Sequence, residues 1–377
     1  MDDDSLGVCY KEGMESRGDV IILGGGVIGL TTAYFLALEG ASVVVCDPGK
    51  LGMESSWAGA GILSPSDPDH AQLPLDRLRA MSSSRFPTLS QELRERTGID
   101  NGYARCGGLE FVSHAEVIEG DEWYGLGART KRLTEKDVAA LEPAVAAGLG
   151  DATEIRDMAQ LRNPRHIQAL RAACLDTKKV VFHEETAVLG FVSEKDRIKG
   201  IRTANEELTG DAFLVAAGAW TDRLLEPLGC RLKIEPVRGQ IVLLNPGEVV
   251  FRHILIWGSR YLVPRLDGRV LIGSTAEHAG FEKINTAEGV GGLIELGLRL
   301  VPRLAGALVE KTWAGLRPGS PDGLPFLGRV PGFDNLYVAA GHFRAGIQLS
   351  PGTGMLLKEM ILGQPLSMPM DAFRLER

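Results

Sequence analysis

The chain reads as an α/β protein in which a mostly parallel, doubly covered sheet is interleaved with a second, mostly antiparallel one, and three observations predict this. The apolar run Val20-Ile21-Ile22-Leu23 ends in three glycines. A helical pattern then runs from Val27 to Glu39, stops at Gly40, and gives way to a second buried run, Ser42 to Cys46; strand, glycine turn, helix and strand make one βαβ unit. Buried runs of the same kind return much later, at Ala212 to Gly218 and Leu336 to Gly341, with alternating, antiparallel-type runs between them.

Composition supports a large globular core: 377 residues, 44% hydrophobic and 24% charged. A formal charge of -8 argues against a surface built to collect phosphates, and no basic run is interleaved with aromatics, so nucleic acid is not an expected partner. Cys9, Cys46, Cys106, Cys174 and Cys230 are odd in number, widely spread and without a CxxC pair or metal-ligand spacing; they read as reduced thiols of a cytoplasmic protein, with no metal site. Residues 1–18 lack the basic-then-apolar order of a signal peptide and read as a loosely ordered extension. The stretch from Asp19 to Leu38 is too broken to span a bilayer, and no membrane is expected.

After the opening unit, helices are expected from Gln72 to Thr97, a strand at Gly107 to Val112, and a capped short helix at Thr134 to Leu141. A helix from Arg165 to Asp176 precedes strands at Val180 to His183, Thr186 to Val192 and Ile198 to Thr203. Gln240 to Leu244, Tyr261 to Pro264 and Val270 to Gly273 alternate as antiparallel strands do, and a helix is expected near Gly291 to Leu300. Ser350 as cap and Pro351 in the first turn predict a final helix from Pro351 to Leu362.

In Gly24-x-Gly26-x-x-Gly29 the first glycine permits a tight turn, the second lets a pyrophosphate approach the backbone, and the third lets helix and strand pack closely. Asp47, at the end of the second strand, is placed to accept hydrogen bonds from ribose hydroxyls. A dinucleotide is therefore expected at the helix N-terminus, together with Val27 and Ile28. The turn alone does not separate FAD from NAD, but an NAD enzyme ordinarily keeps its nucleotide domain contiguous, and here similar strands recur near Val215 and Val338.

Four further segments carry a resemblance: Glu54 to Leu63 (ESSWAGAGIL), Leu214 to Thr221 (LVAAGAWT), Gly315 to Pro325 (GLRPGSPDGLP) and Gly341 to Ile347 (GHFRAGI). With the opening unit, and in this order from about residue 19 to the end, the chain resembles the D-amino acid oxidase superfamily, and within it the glycine oxidases of thiamine biosynthesis. The resemblance implies an FAD-binding, glutathione-reductase-type Rossmann-like domain from 19–90, 150–230 and 325–377, and a substrate domain from 91–149 and 231–324.

It also implies FAD bound non-covalently and extended, with Ser55, Ser56, Ala58, Gly59, Ala60 and Gly61 along the flavin ring and Val188 near the adenine. Ala217, Gly218 and Trp220, then His342, Arg344, Ala345, Gly346, Ile347, Gln348 and Leu349, complete the expected cofactor contacts. Arg317 is expected to grip the substrate carboxylate in two prongs, with a hydrogen bond from Tyr261 and Arg344 at the pocket mouth. The implied reaction passes a hydride from the Cα of a free amine to flavin N5, so no side-chain base is required and His342 is read as a packing residue. Oxygen then takes the electrons and yields hydrogen peroxide. Substrates are glycine or other small amine acids: sarcosine, small D-amino acids or N-substituted glycines.

The sequence departs from related patterns twice. Monomeric sarcosine oxidases hold flavin through a cysteine in the C-terminal third, and none follows Cys230 here. Ala276 stands where the glycine oxidase pattern suggests a bulkier residue, often methionine, and a larger pocket is expected. Two rival readings remain: a D-amino acid dehydrogenase that passes electrons to a quinone, and a flavin-binding protein without turnover. Family habit points to a homo-oligomer, commonly a tetramer.

Overall fold

A computed structural model describes residues 16–111 and 127–377. Most of the expected extension, with Cys9, and the end of the strand expected at Gly107 to Val112 lie outside the described residues. The opening unit is present: strand β1 (Arg17–Leu23), helix α1 (Val27–Leu38) and strand β2 (Val43–Cys46). β1 begins two residues inside the expected extension because Arg17 and Gly18 pair with Thr209 and Gly210.

β1 is central in the first sheet, between β2 on one side and strand Glu207–Val215 on the other, both parallel to it. Val180–His183 extends the sheet beyond β2. The far edge of Glu207–Val215 is shared: its start pairs antiparallel with Arg197–Arg202, and its end pairs parallel with Leu336–Ala340. The register aligns Leu23 with Cys46 and with Val215, so the parallel strands finish at one rim. Ligands of open α/β sheets bind outside such a rim. α1 is buried at every position from Val27 to Ala37, packed between this sheet and the C-terminal helix, which explains a helix apolar on all sides.

The second sheet runs Leu308–Gly319, Glu235–Asn245, Val270–Gly273, Arg260–Pro264, Ile254–Trp257, Gly108–Phe111, Ala152–Ile155 and Thr130–Leu133. Every neighbour in it is antiparallel except Ile254–Trp257 with Gly108–Phe111. Helix Ala287–Leu300 lays Leu293, Leu296 and Leu300 onto it, its first turn held by Thr286, which accepts from the Gly289 N–H at 3.1 Å.

Several expectations change. Ala152–Ile155, placed in the first domain by the division at residue 150, pairs in the second sheet with Gly108–Phe111 and Thr130–Leu133. Thr186 to Leu189 is not strand: Thr186 donates to the Asp47 carbonyl, bending the chain toward the strand-end rim, and the strand begins at Gly190.

The last helix is Gly346–Ile361, five residues earlier than the Ser350-Pro351 cap pattern predicts. Pro351 sits inside it. A proline there leaves the Ile347 carbonyl without its usual donor, and the Ser350 hydroxyl donates to that carbonyl at 2.9 Å instead. The Ser-Pro pair repairs a helix rather than starting one.

Candidate active site

A cavity of about 1070 Å³ runs from the carboxyl ends of the first sheet to the face of the second. At its nucleotide end Gly24 has φ +114, and a Cβ there would lie 2.4 Å from the Ala216 carbonyl oxygen, so only glycine fits. A Cβ on Gly29 would lie 2.0 Å from the Gly24 carbonyl oxygen; this glycine packs helix against turn and does not itself face the cavity. Asp47 receives the Gly25 N–H at 2.8 Å and the Gly49 N–H at 2.9 Å. Burial pushes its carboxyl above the usual range despite those two bonds, and Glu54 and Glu184 push the same way. Val188 lines the same end.

The segment Ser55 to Gly61 forms the next wall. The Ser56 hydroxyl accepts the Val27 N–H at 2.9 Å, so it caps α1 from outside, and the Ser55 hydroxyl donates to the Leu316 carbonyl at 2.8 Å. Both serines line the cavity as expected, yet their hydroxyls are spent joining this loop to α1 and to the second sheet. Gly61 has φ +72 and leaves no room for a Cβ, which would meet the Leu161 carbonyl oxygen at 2.1 Å.

Opposite this loop the second sheet presents Arg317 and Tyr261. Arg317 lies across Gly239 of the neighbouring strand, where any Cβ would stand 2.1 Å from Nη2. Its Nη1 donates to the Thr275 carbonyl at 3.1 Å and its Nη2 to the Ser274 hydroxyl at 2.5 Å. The Tyr261 ring lies over its cross-strand partner Gly273, where a Cβ would be 2.7 Å from the ring. Among the described residues Arg317 has no carboxylate at ion-pair distance. Burial pulls its pKa below the ordinary arginine value and nearby Arg344 adds to that, while Tyr261 opposes it. It remains a cation, held by neutral partners and short of a counter-charge.

His342 is buried with Nε2 3.1 Å from the Thr353 hydroxyl, and burial alone pulls its pKa down to about 3. It is neutral throughout the working range, consistent with a packing role. Arg344 is exposed at the cavity mouth beside the Phe343 ring.

Of the residues expected at the site, all but Gly29 and Leu349 line this one cavity. Because the final helix starts at Gly346, Leu349 turns into the core, where it is 1% exposed. Ala276 is exposed and does not border the cavity, so it does not enlarge it. Sequence reasoning missed Asn163, whose Nδ2 donates to the Ser56 carbonyl at 2.8 Å while its buried Oδ1 has no hydrogen-bond partner among the described residues. It also missed Gly239 and Gly273. A glycine inside an alternating strand signals close approach of another group, and that signal was available for both.

Glycine positions that a Cβ would fill, a helix N-terminus over the turn, an acidic residue at the second strand end and a cavity of this length together fit a dinucleotide extended toward Arg317. Such a site defines a dinucleotide-binding protein of the Rossmann-like class. The family model described as "FAD dependent oxidoreductase" (DAO) matches residues 19–360, and the chain belongs to that family. It is 39% identical over 348 residues to a glycine oxidase of Pseudomonas putida, covering 91% of this chain and 94% of that one. A Synechocystis protein named bifunctional protein ThiO/ThiG is 31% identical over 373 residues, covering 97% of this chain and 54% of its own length. The crystal structure of glycine oxidase from Geobacillus kaustophilus superposes with a TM-score of 0.90 at 32% identity, covering 96% of this chain and 99% of that one.

Proposed function

We propose that the chain is an amino acid oxidase acting on glycine and similarly small amine acids, with oxygen as electron acceptor and hydrogen peroxide as product. The observation that carries this is Arg317, a cation with no carboxylate at ion-pair distance among the described residues, which faces the same cavity as the Ala58 to Gly61 loop, with Tyr261 beside it. A planar guanidinium in that setting suits a carboxylate. Similarity to glycine oxidases over nearly the whole chain supports the same substrate class.

When bound, FAD supplies the two-electron acceptor for oxidation of the amine to an imine. The protein's part is placement. Arg317 binds the substrate carboxylate, with its own orientation fixed by Ser274 and the Thr275 carbonyl. Tyr261 adds a phenolic hydrogen bond. The glycine turn, Asp47 and Val188 hold the nucleotide end, while Ala58 to Gly61, Ala217 to Trp220 and His342 to Gln348 enclose the ring end. His342, which burial makes a very weak base and whose Nε2 is hydrogen-bonded to Thr353, is not called on as a base; positioning and exclusion of water supply the rate. Release of the imine to thiazole formation, a homo-oligomeric state and a cytoplasmic location belong to the same reading. No described helix is long and apolar enough to cross a membrane.

The test is anaerobic mixing of the holoenzyme with glycine, sarcosine, D-alanine and D-proline. Bleaching of the oxidised flavin band by the small members is the expected result, and no bleaching by any of them refutes the reading. Peroxide release measured against reduction of an artificial dye separates an oxidase from a dehydrogenase.

A further inference from the structure

Arg265 is 7% exposed and has no carboxylate at ion-pair distance among the described residues. Its Nη2 donates to the Ala60 carbonyl at 2.7 Å, and its Nη1 donates to the Gln160 side-chain oxygen at 2.8 Å and to the Leu161 carbonyl at 3.0 Å. Gln160 in turn donates from Nε2 to the Pro264 carbonyl at 2.8 Å, closing the cluster. Burial pulls the guanidinium down to about 10, which still leaves it charged at neutral pH. A buried cation whose hydrogen bonds all go to neutral carbonyl oxygens, with Asp267 favouring it only from beyond ion-pair distance, is costly, and such a cost persists where the charge serves something else.

What it touches is the back of the ring-side loop. The Ala58 carbonyl accepts from Trp313 Nε1 at 2.9 Å, the Ala60 carbonyl from Arg265, and the Gly61 carbonyl from the Leu161 N–H at 2.9 Å. Three carbonyls of one short loop are thus held by groups behind it. In a trans peptide the N–H points opposite to the preceding C=O. With the Ala60 carbonyl drawn to Arg265, the Gly61 N–H faces the other way, and no acceptor for it is found among the described residues.

We infer that Arg265 is a positioning residue for the flavin: it fixes the Ala58 to Gly61 loop with its N–H edge toward the cavity, and its charge, ion-paired with no carboxylate among the described residues, favours the reduced, anionic ring. The inference rests on FAD lying along that loop. Two effects follow, and different substitutions separate them. Arg265→Met removes both the clamp and the charge; Arg265→Lys keeps the charge but cannot span three carbonyl-type acceptors with the same fork.

The experiment titrates each apoprotein with FAD and measures the midpoint potential of each reconstituted flavin against a reference dye. Arg265→Met is expected to weaken FAD binding by about tenfold or more and to move the potential in the negative direction. Arg265→Lys is expected to weaken FAD binding as well, with a potential close to that of the parent. A residue that only stabilised the fold would lower the melting temperature and leave the potential of any bound flavin unchanged, so an unchanged potential in Arg265→Met overturns the electrostatic role. If the Met variant does not fold, Lys decides: parent-like FAD affinity overturns the clamp, and weakened affinity supports it. Failure of the parent apoprotein to take up FAD would instead refute the cofactor placement, a separate result visible before any variant is made.

Discussion

At the glycine turn the cavity wall is backbone: Gly24 and Gly26 expose peptide groups, α1 offers its N-terminus, and Asp47 is occupied by two N–H groups of the neighbouring turns. On the second sheet the wall is side chain, with Arg317 and Tyr261 reaching over Gly239 and Gly273. The first half recognises its ligand by shape and by peptide dipoles, and it tolerates almost no added atom. On the proposed reading the second recognises by a charge that has no carboxylate at ion-pair distance among the described residues, and it depends on atoms being present. Adding a methyl group should ruin one half, whereas removing a side chain should ruin the other.

The sharpest way to break that contrast is Gly24→Ala. With φ +114 and a backbone oxygen 2.4 Å from the new Cβ, the cost is about 3 kcal/mol or more. The expected product is a protein purified without flavin, read from its flavin-to-protein absorbance ratio. Normal flavin content would mean that the turn relaxes and shape is not the criterion. Arg317→Ala comes next: flavin content and spectrum should be retained while kcat/KM falls by about 100-fold or more. Parent-like reduction kinetics would remove the carboxylate clamp from the second half.

Acid should act on both halves together. Burial pulls His342 to about 3 and His166 to about 4, from the ordinary histidine value of 6.5. With both folded-state values depressed, their stability contribution is complete above about 6.5 and is lost as the pH falls toward 4, where unfolding takes up as many as two protons. The melting temperature should therefore drop across that window, and His166→Asn should flatten the slope; a flat profile in the parent would refute the assignment. No histidine limb should appear in the pH dependence of kcat/KM. The smallest effect is Ser56→Ala, which frees the Val27 N–H and costs about 1 kcal/mol, seen as a modest fall in melting temperature with substrate kinetics unchanged once FAD is saturating.

The same contrast governs what could be read from the chain. The glycine turn, α1 and Asp47 are neighbours in sequence, and local spacing was enough to place them. Arg317 became visible only through resemblance, because its neighbours Gly239, Ser274 and Thr275 come from another strand and from the loop after a third, which no local pattern brings together. Asn163 and Arg265 were passed over for a related reason: each is an ordinary residue at the edge of a helix or strand until the fold sets it behind the Ala58 to Gly61 loop. The final helix was misread because Ser350-Pro351 carries a cap signal whose hydroxyl is in fact occupied with the Ile347 carbonyl. Thr186 to Leu189 has strand-forming residues, but the hydrogen bond from Thr186 to the Asp47 carbonyl overrides that propensity.

The first sheet is assembled from both ends of the chain: β1 and β2 come early, Glu207–Val215 midway, and Leu336–Ala340 near the end, with the last helix lying against α1. During synthesis the nucleotide turn is therefore made long before the walls that complete its pocket, and the apolar α1 waits for a partner not yet translated. Pairings of such wide sequence separation form slowly and leave sticky surface open in the meantime. Stable FAD capture then becomes a signal that the final helix has been made, and a nascent or truncated chain lacking that helix should be recognised by chaperones and proteases rather than accumulate as a half-assembled flavoprotein.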